Sequence, residues 1–190
     1  MYYFVLHPKH DFDKAQIAEK LQSATIHAIV GTDSKEKDRD VEMFTAAVLT
    51  DNSADLLKWI MRGTLDLEEK GFVLKTMAGQ DLPHHMTINL GPLDEALNPR
   101  EVLGEKVLLG IDSLVYCLKL GVCASPIINQ FVLNVPGCKS LQLMNEQPHI
   151  TICVRPPAKP KMSNDLFKQQ DTVTYKLDKS YYLDAKIQEC

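Results

Sequence analysis

The chain has 190 residues, of which 45% are hydrophobic and 24% charged, and its formal net charge is −4. That length and apolar content suit one good-sized domain with its own core, and ordinary Gly and Pro contents exclude a low-complexity chain. No apolar run approaches the ~20 residues that span a bilayer, and no basic tract of the kind that wraps long nucleic acid occurs.

The first residues, "MYYFVLHPKHDFDKAQ", lack a basic start, a long apolar centre and a small-residue cleavage site. An export leader is therefore not expected, and a cytoplasmic location is. The five cysteines, at 117, 123, 138, 153 and 190, form no CxxC pair and are odd in number. Free thiols in a reducing compartment are expected, not a disulfide framework or a structural zinc site.

In chain order, "MYYFVLHP" (1–8) predicts a strand and "DFDKAQIAEKLQSA" (11–24) a helix with Ile17, Ala18 and Leu21 on one face. "TIHAIVG" (25–31) predicts a short strand, and the mixed-charge run "DSKEKDRD" (33–40) a solvated loop. "MFTAAVLT" (43–50) reads as a strand. "DNSADLLKWIMRGTLDLEEKG" (51–71) is the clearest helix, capped by Asp51, Asn52 or Ser53, striped by Leu57, Ile60, Met61 and Leu65, and ended by Gly71. Trp59, the sole tryptophan, is expected to pack near that stripe.

Strands are predicted at "KVLLGI" (106–111), "LVYCLKLG" (114–121) and "QFVLNV" (130–135), with "ASPIINQ" (124–130) a turn or short helix. A basic, proline-rich loop occupies 156–165. The end, 171–187, reads as two strands joined at Asp178–Lys179–Ser180. Helices and strands mix without regular alternation, so the expected class is α+β with mainly antiparallel sheets.

Two stretches say nearly the same thing: "PHHMTINL" (83–90) and "PHITICV" (148–154). Strand alternation puts His85, Thr87 and Asn89 on one face and Met86, Ile88 and Leu90 on the other. It likewise puts His149, Thr151 and Cys153 opposite Ile150, Ile152 and Val154. Side by side, two such strands would gather two imidazoles and two hydroxyls around one cleft. Those groups suit phosphoryl chemistry. One imidazole takes a proton while the other gives one, and hydroxyls donate to the non-bridging oxygens. No Asp or Glu adjoins either motif, which weakens a metal-hydrolase reading, so neither metal nor cofactor is expected. A single histidine in a strand is most often structural, but packing gives no reason to repeat His and Thr together on the non-apolar face. His84 should face away from His85 and is read as structural or as a rim residue.

The pair "HMTI" (85–88) and "HITI" (149–152) resembles the two His-x-Thr/Ser motifs of the 2H phosphoesterase superfamily. "LVYCLKLG" resembles the strand before the second motif, and "AKPKMSNDLF" (158–167) a Lys-Pro-x-x-Ser-Asn segment of the RNA-repair branch, the group like the cyclic phosphodiesterase domain of tRNA ligases. The resemblance covers about residues 43–187. It implies a single bilobal α+β domain with two pseudo-symmetric antiparallel sheets, outer helices and a central cleft. The halves would be 43–104 and 105–187, and 1–42 would be an N-terminal extension.

The resemblance also implies metal-independent cleavage of a phosphodiester, or of a cyclic phosphate, in RNA ends or small cyclic or 2′-5′ linked oligonucleotides. His85 and His149 become the acid/base pair, and Thr87 and Thr151 the phosphate-binding hydroxyls. Arg155, Lys159 and Lys161 follow the second motif and could help hold phosphate, although a solvated basic loop is the plainer reading. Tyr116 and Phe44 are candidates for base stacking, with core packing the plainer reading for both. The expected partner is a small nucleotide or RNA end. The alternative is a nucleotide-binding module with little or no turnover, since a fold does not fix function. An RNA ligase-like or scaffold role has less support, because no P-loop or nucleotidyl-transfer lysine motif is present.

Overall fold

A computed structural model describes residues 43–76 and 79–190. The strand, helix and loop expected within 1–42 lie outside the described residues. Seven strands form the sheet: β1 Phe44–Leu49, β2 His85–Leu90, β3 Lys106–Cys117, β4 Val122–Pro126, β5 Asn129–Val132, β6 His149–Val154 and β7 Val173–Glu189. Among the described residues two α-helices accompany them, α1 Asp51–Thr64 and the single-turn α2 Ser163–Leu166.

The strand order is β4-β6-β2-β1-β7-β3-β5, every pairing is antiparallel, and β3 also pairs with β4. That last pairing closes β4-β6-β2-β1-β7-β3 into a six-stranded ring, with β5 flanking β3 outside it. The expected bilobal α+β fold, with two sheets and outer helices, is thereby corrected to a mostly-sheet closed barrel with two short helices.

The reason lies in β3 and β7. Polar residues at Asp112–Ser113 and Asp178–Ser180 read as breaks in the sequence, yet each strand runs through. The register shifts there: Ile111 faces Tyr181 and Ser113 faces Lys176, so β7 sets Leu177–Ser180 against Asp112 alone. Such a bulge bends the strands and increases their twist. Asp112 is held at the bend by Ser113 Oγ at 2.9 Å and Lys176 Nζ at 3.0 Å. On its other edge β3 meets β5 along Val107–Gly110 and β4 along Val115–Cys117. One long bent strand thus joins what would otherwise be two sheets. The segment expected to be a turn or helix at 124–130 supplies the end of β4 and the start of β5.

α1 is capped by Thr50, not by the three residues after it: Thr50 is extended and its Oγ1 accepts from the Ser53 amide at 3.3 Å. The helix stops at Thr64, whose Oγ1 donates to the Ile60 carbonyl at 2.8 Å, and Leu65 is already extended. Leu57, Ile60 and Met61 are buried in one cluster with Met86, Ile88, Ile150 and Ile152. Trp59 is 67% exposed and does not join that stripe. A second cluster, with Leu82, Val115, Val122, Val154 and Leu166, seats α2 against β3, β4 and β6. Among the described residues no helix is long and apolar enough to cross a membrane.

Candidate active site

β2 and β6 are neighbours, and Met86 pairs with Ile150. Both side chains are fully buried. Continuing that register one step each way sets His85 across from Thr151 and Thr87 across from His149. All four line one cleft of ≈ 470 Å³, together with His84, Lys161 and Ser163. Among the described residues no carboxylate lines it, although the chain carries more acidic than basic side chains.

Both motif strands break alternation at the same offset. On β2, Ile88 is the extra residue, because Thr45 faces Asn89 and Ala46 faces Thr87. On β6 it is Ile152, because Cys123 faces Cys153 and Ala124 faces Thr151. A one-residue bulge flips every later side chain to the other face. Hence Leu90, expected on the buried face, is 78% exposed at the cleft, and Cys153, expected on the cleft face, is buried, while Asn89 is buried yet still lines the cleft.

His84 also departs from expectation. β2 begins at His85, so strand alternation does not govern its predecessor. The His84 and His85 Nδ1 atoms lie 2.9 Å apart, and both rings line the cleft. The His85 ring rests on Phe44, with centroids 4.9 Å apart. Burial, the adjacent His84 and the facing His149 together lower the His85 pKa to about 4.

His149 is 8% exposed and leans on Phe167, with ring centroids 5.3 Å apart. Burial lowers its pKa, and the Gln147 carbonyl, 2.7 Å from Nδ1, opposes that shift. A carbonyl only accepts, so Nδ1 carries a proton. Nε2 lies 2.7 Å from Ser163 Oγ, which is also 2.8 Å from Thr151 Oγ1 and 2.7 Å from the Pro160 carbonyl oxygen.

Of the basic candidates, Lys161 lines the cleft. Arg155 instead donates to the Leu118 carbonyl and sits over the Phe72 ring, 5.8 Å from its centroid. Lys159 and Tyr116 are not cleft residues, and Tyr116 packs against the main core. Phe44 contacts His85 as its stacking partner. Ser163 and Gln147 were not singled out by the sequence as site residues. The only signal for Ser163 was its place in the Lys159–Asn164 segment. Among the described residues no group of three or more His, Cys, Asp or Glu side chains is placed to hold a metal ion.

Residues 111–189 match the family model of the fungal tRNA ligase phosphodiesterase domain. The chain resembles the tRNA ligase phosphodiesterase branch. This is the branch to which its Lys159–Asn164 segment is similar. The matched stretch holds the second motif, Ser163 and β7, while the first motif lies before it. A solved structure, the crystal structure of a fungal RNA kinase, aligns with a TM-score of 0.50 at 13% identity, over 94% of this chain and 53% of that one. The chain thus spans about half the length of that kinase, and at such identity the likeness speaks for the fold alone. Among curated proteins none matches the chain.

Proposed function

We propose that this phosphodiesterase-like chain hydrolyses a phosphodiester or cyclic phosphate in RNA ends or small oligonucleotides, without metal, by paired-histidine acid/base catalysis. The observation that carries the proposal is the meeting of His85, Thr87, His149 and Thr151 in one cleft with no carboxylate among its described lining residues. The match of residues 111–189 to a phosphodiesterase domain supports the reaction class.

His85 is the general base. A pKa lowered to about 4 leaves its ring neutral near pH 7, free to take a proton. Water attacks phosphorus and passes a proton to His85. The P–O bond to the ribose oxygen breaks, and the departing oxygen takes a proton from the doubly protonated form of His149, whose Nε2–H turns from Ser163 to the leaving oxygen while Nδ1–H stays on the Gln147 carbonyl. Thr87 and Thr151 donate to the non-bridging oxygens, where charge gathers. Lys161 adds a positive charge at the cleft wall.

The test is a panel of 2′,3′-cyclic mononucleotides, 2′-5′ oligoadenylate and cyclic dinucleotides, incubated in EDTA with products resolved by chromatography. Turnover of at least one substrate in chelator is expected. Loss in EDTA with rescue by a divalent ion defeats the metal-independent mechanism. Tight binding without any product leaves the chain a nucleotide-binding module.

A further inference from the structure

Ser163 Oγ is a junction of three hydrogen bonds on a side chain that is 2% exposed. It has one proton and two lone pairs to distribute. With His149 neutral and Nδ1–H given to Gln147, Nε2 is an acceptor, so Ser163 must donate to it. With His149 protonated, Nε2–H donates to Ser163, whose own proton turns to the Pro160 carbonyl. In both arrangements the Ser163 proton is already used, so the Thr151 contact is made by the Thr151 hydroxyl donating to Ser163, and it is given up when that hydroxyl turns to a phosphate oxygen. Rotation of one hydroxyl therefore keeps a buried ring nitrogen partnered before and after it gains a proton. An unpartnered buried polar atom would be costly in either state.

We infer that Ser163 is a positioning residue, which orients His149 and couples it to Thr151 by serving as donor to the neutral ring and acceptor for the protonated one. This deepens, and rests on, the acid/base reading of His149. The second cluster fixes the element that carries Ser163, because Leu166 of α2 is fully buried in it. The other titratable groups lining the cleft are His84 and His85 at the start of β2 and Lys161 in the turn before α2.

A hydrogen bond to the charged ring is worth more than one to the neutral ring. Ser163→Ala should therefore move the His149 titration to lower pH. Followed by imidazole ¹⁵N–¹H spectra of the full chain, His85 should titrate as before. On a substrate from the panel, kcat should fall by up to about 10²-fold through ring misplacement, with KM changed less. Ser163→Thr keeps the hydroxyl and should return the His149 titration towards that of the natural chain. Should Ser163→Ala fail to fold, the natural chain still decides. Neutral His149 must show the Nδ1–H tautomer, and its Nε2 resonance must be that of a hydrogen-bonded acceptor. An Nε2–H tautomer, or a His149 titration unmoved by Ser163→Ala, overturns the assignment. The spectra need no turnover, so a chain that cleaves nothing fails the functional proposal while this contact is judged separately.

Discussion

Met86 and Ile150 face each other across β2 and β6, each the middle residue of a His-x-Thr triplet. Because the strands are antiparallel, the histidine of one motif lies opposite the threonine of the other. The strands beyond them, β1 and β4, continue the same relation, and a bulge follows each histidine at the same distance. This local two-fold arrangement gives the cleft equivalent groups on both sides, and what surrounds each histidine makes them unequal. His85 meets two other imidazoles, whereas His149 meets a carbonyl and a hydroxyl.

His85→Ala and His149→Ala should each lower turnover by about 10²–10⁴-fold, the usual contribution of a positioned proton-transfer group. Thr87→Ala and Thr151→Ala each remove one donor to the phosphate, and a loss of about 10²–10³-fold is expected. Thermal melts separate chemistry from folding: all four proteins should unfold cooperatively. Unchanged kcat in both histidine variants would remove the mechanism.

His84→Ala should be milder and should act through pH. His84 lowers the His85 pKa, so removing it lets that pKa rise. The acidic limb of the pH profile of kcat/KM reports the base of the free enzyme, and it should move to higher pH. An acidic limb that stays in place would mean that another group limits the reaction.

Lys161 and Arg155 should part company. Lys161 lines the cleft, so Lys161→Ala should raise KM for a phosphate-bearing substrate by a few-fold to about 10-fold, and less at high salt. Arg155 is tied to the Leu118 carbonyl and the Phe72 ring, so Arg155→Ala should cost about 0.5–2 kcal/mol of stability and leave KM alone. Steady-state kinetics beside denaturant melts distinguish the two.

The motif strands, and the sharing of one cleft by His85, Thr87, His149 and Thr151, were legible because period-two alternation is a local property. Three things were not. Closure of the barrel depends on β3 and β7 passing through Asp112 and Asp178, and only the partner strand shows that these polar residues sit at a bend rather than in a turn. The bulges at Ile88 and Ile152 depend on pairing with β1 and β4, so the switched faces of Leu90 and Cys153 could not be read from one strand. Ser163 reaches His149 only because α2 folds back on the sheet, a contact that no spacing rule announces.

Stability should depend on pH through the same histidines. The folded-state pKa of His85 is lowered to about 4 from an ordinary value of 6.5, and that of His149 is also lowered. Between those values the unfolded chain binds protons that the folded chain does not, so acid favours unfolding. This contribution is fully present above about pH 6.5 and is lost as pH falls towards 4. Urea melts of the described fold should therefore show a midpoint that declines across that window. His85→Gln, which cannot titrate, should flatten the decline even if it lowers the midpoint at neutral pH. Equal slopes for the two proteins between pH 6.5 and 4 would show that His85 is not held neutral by the cleft, and the base assigned to the reaction would lose its physical support.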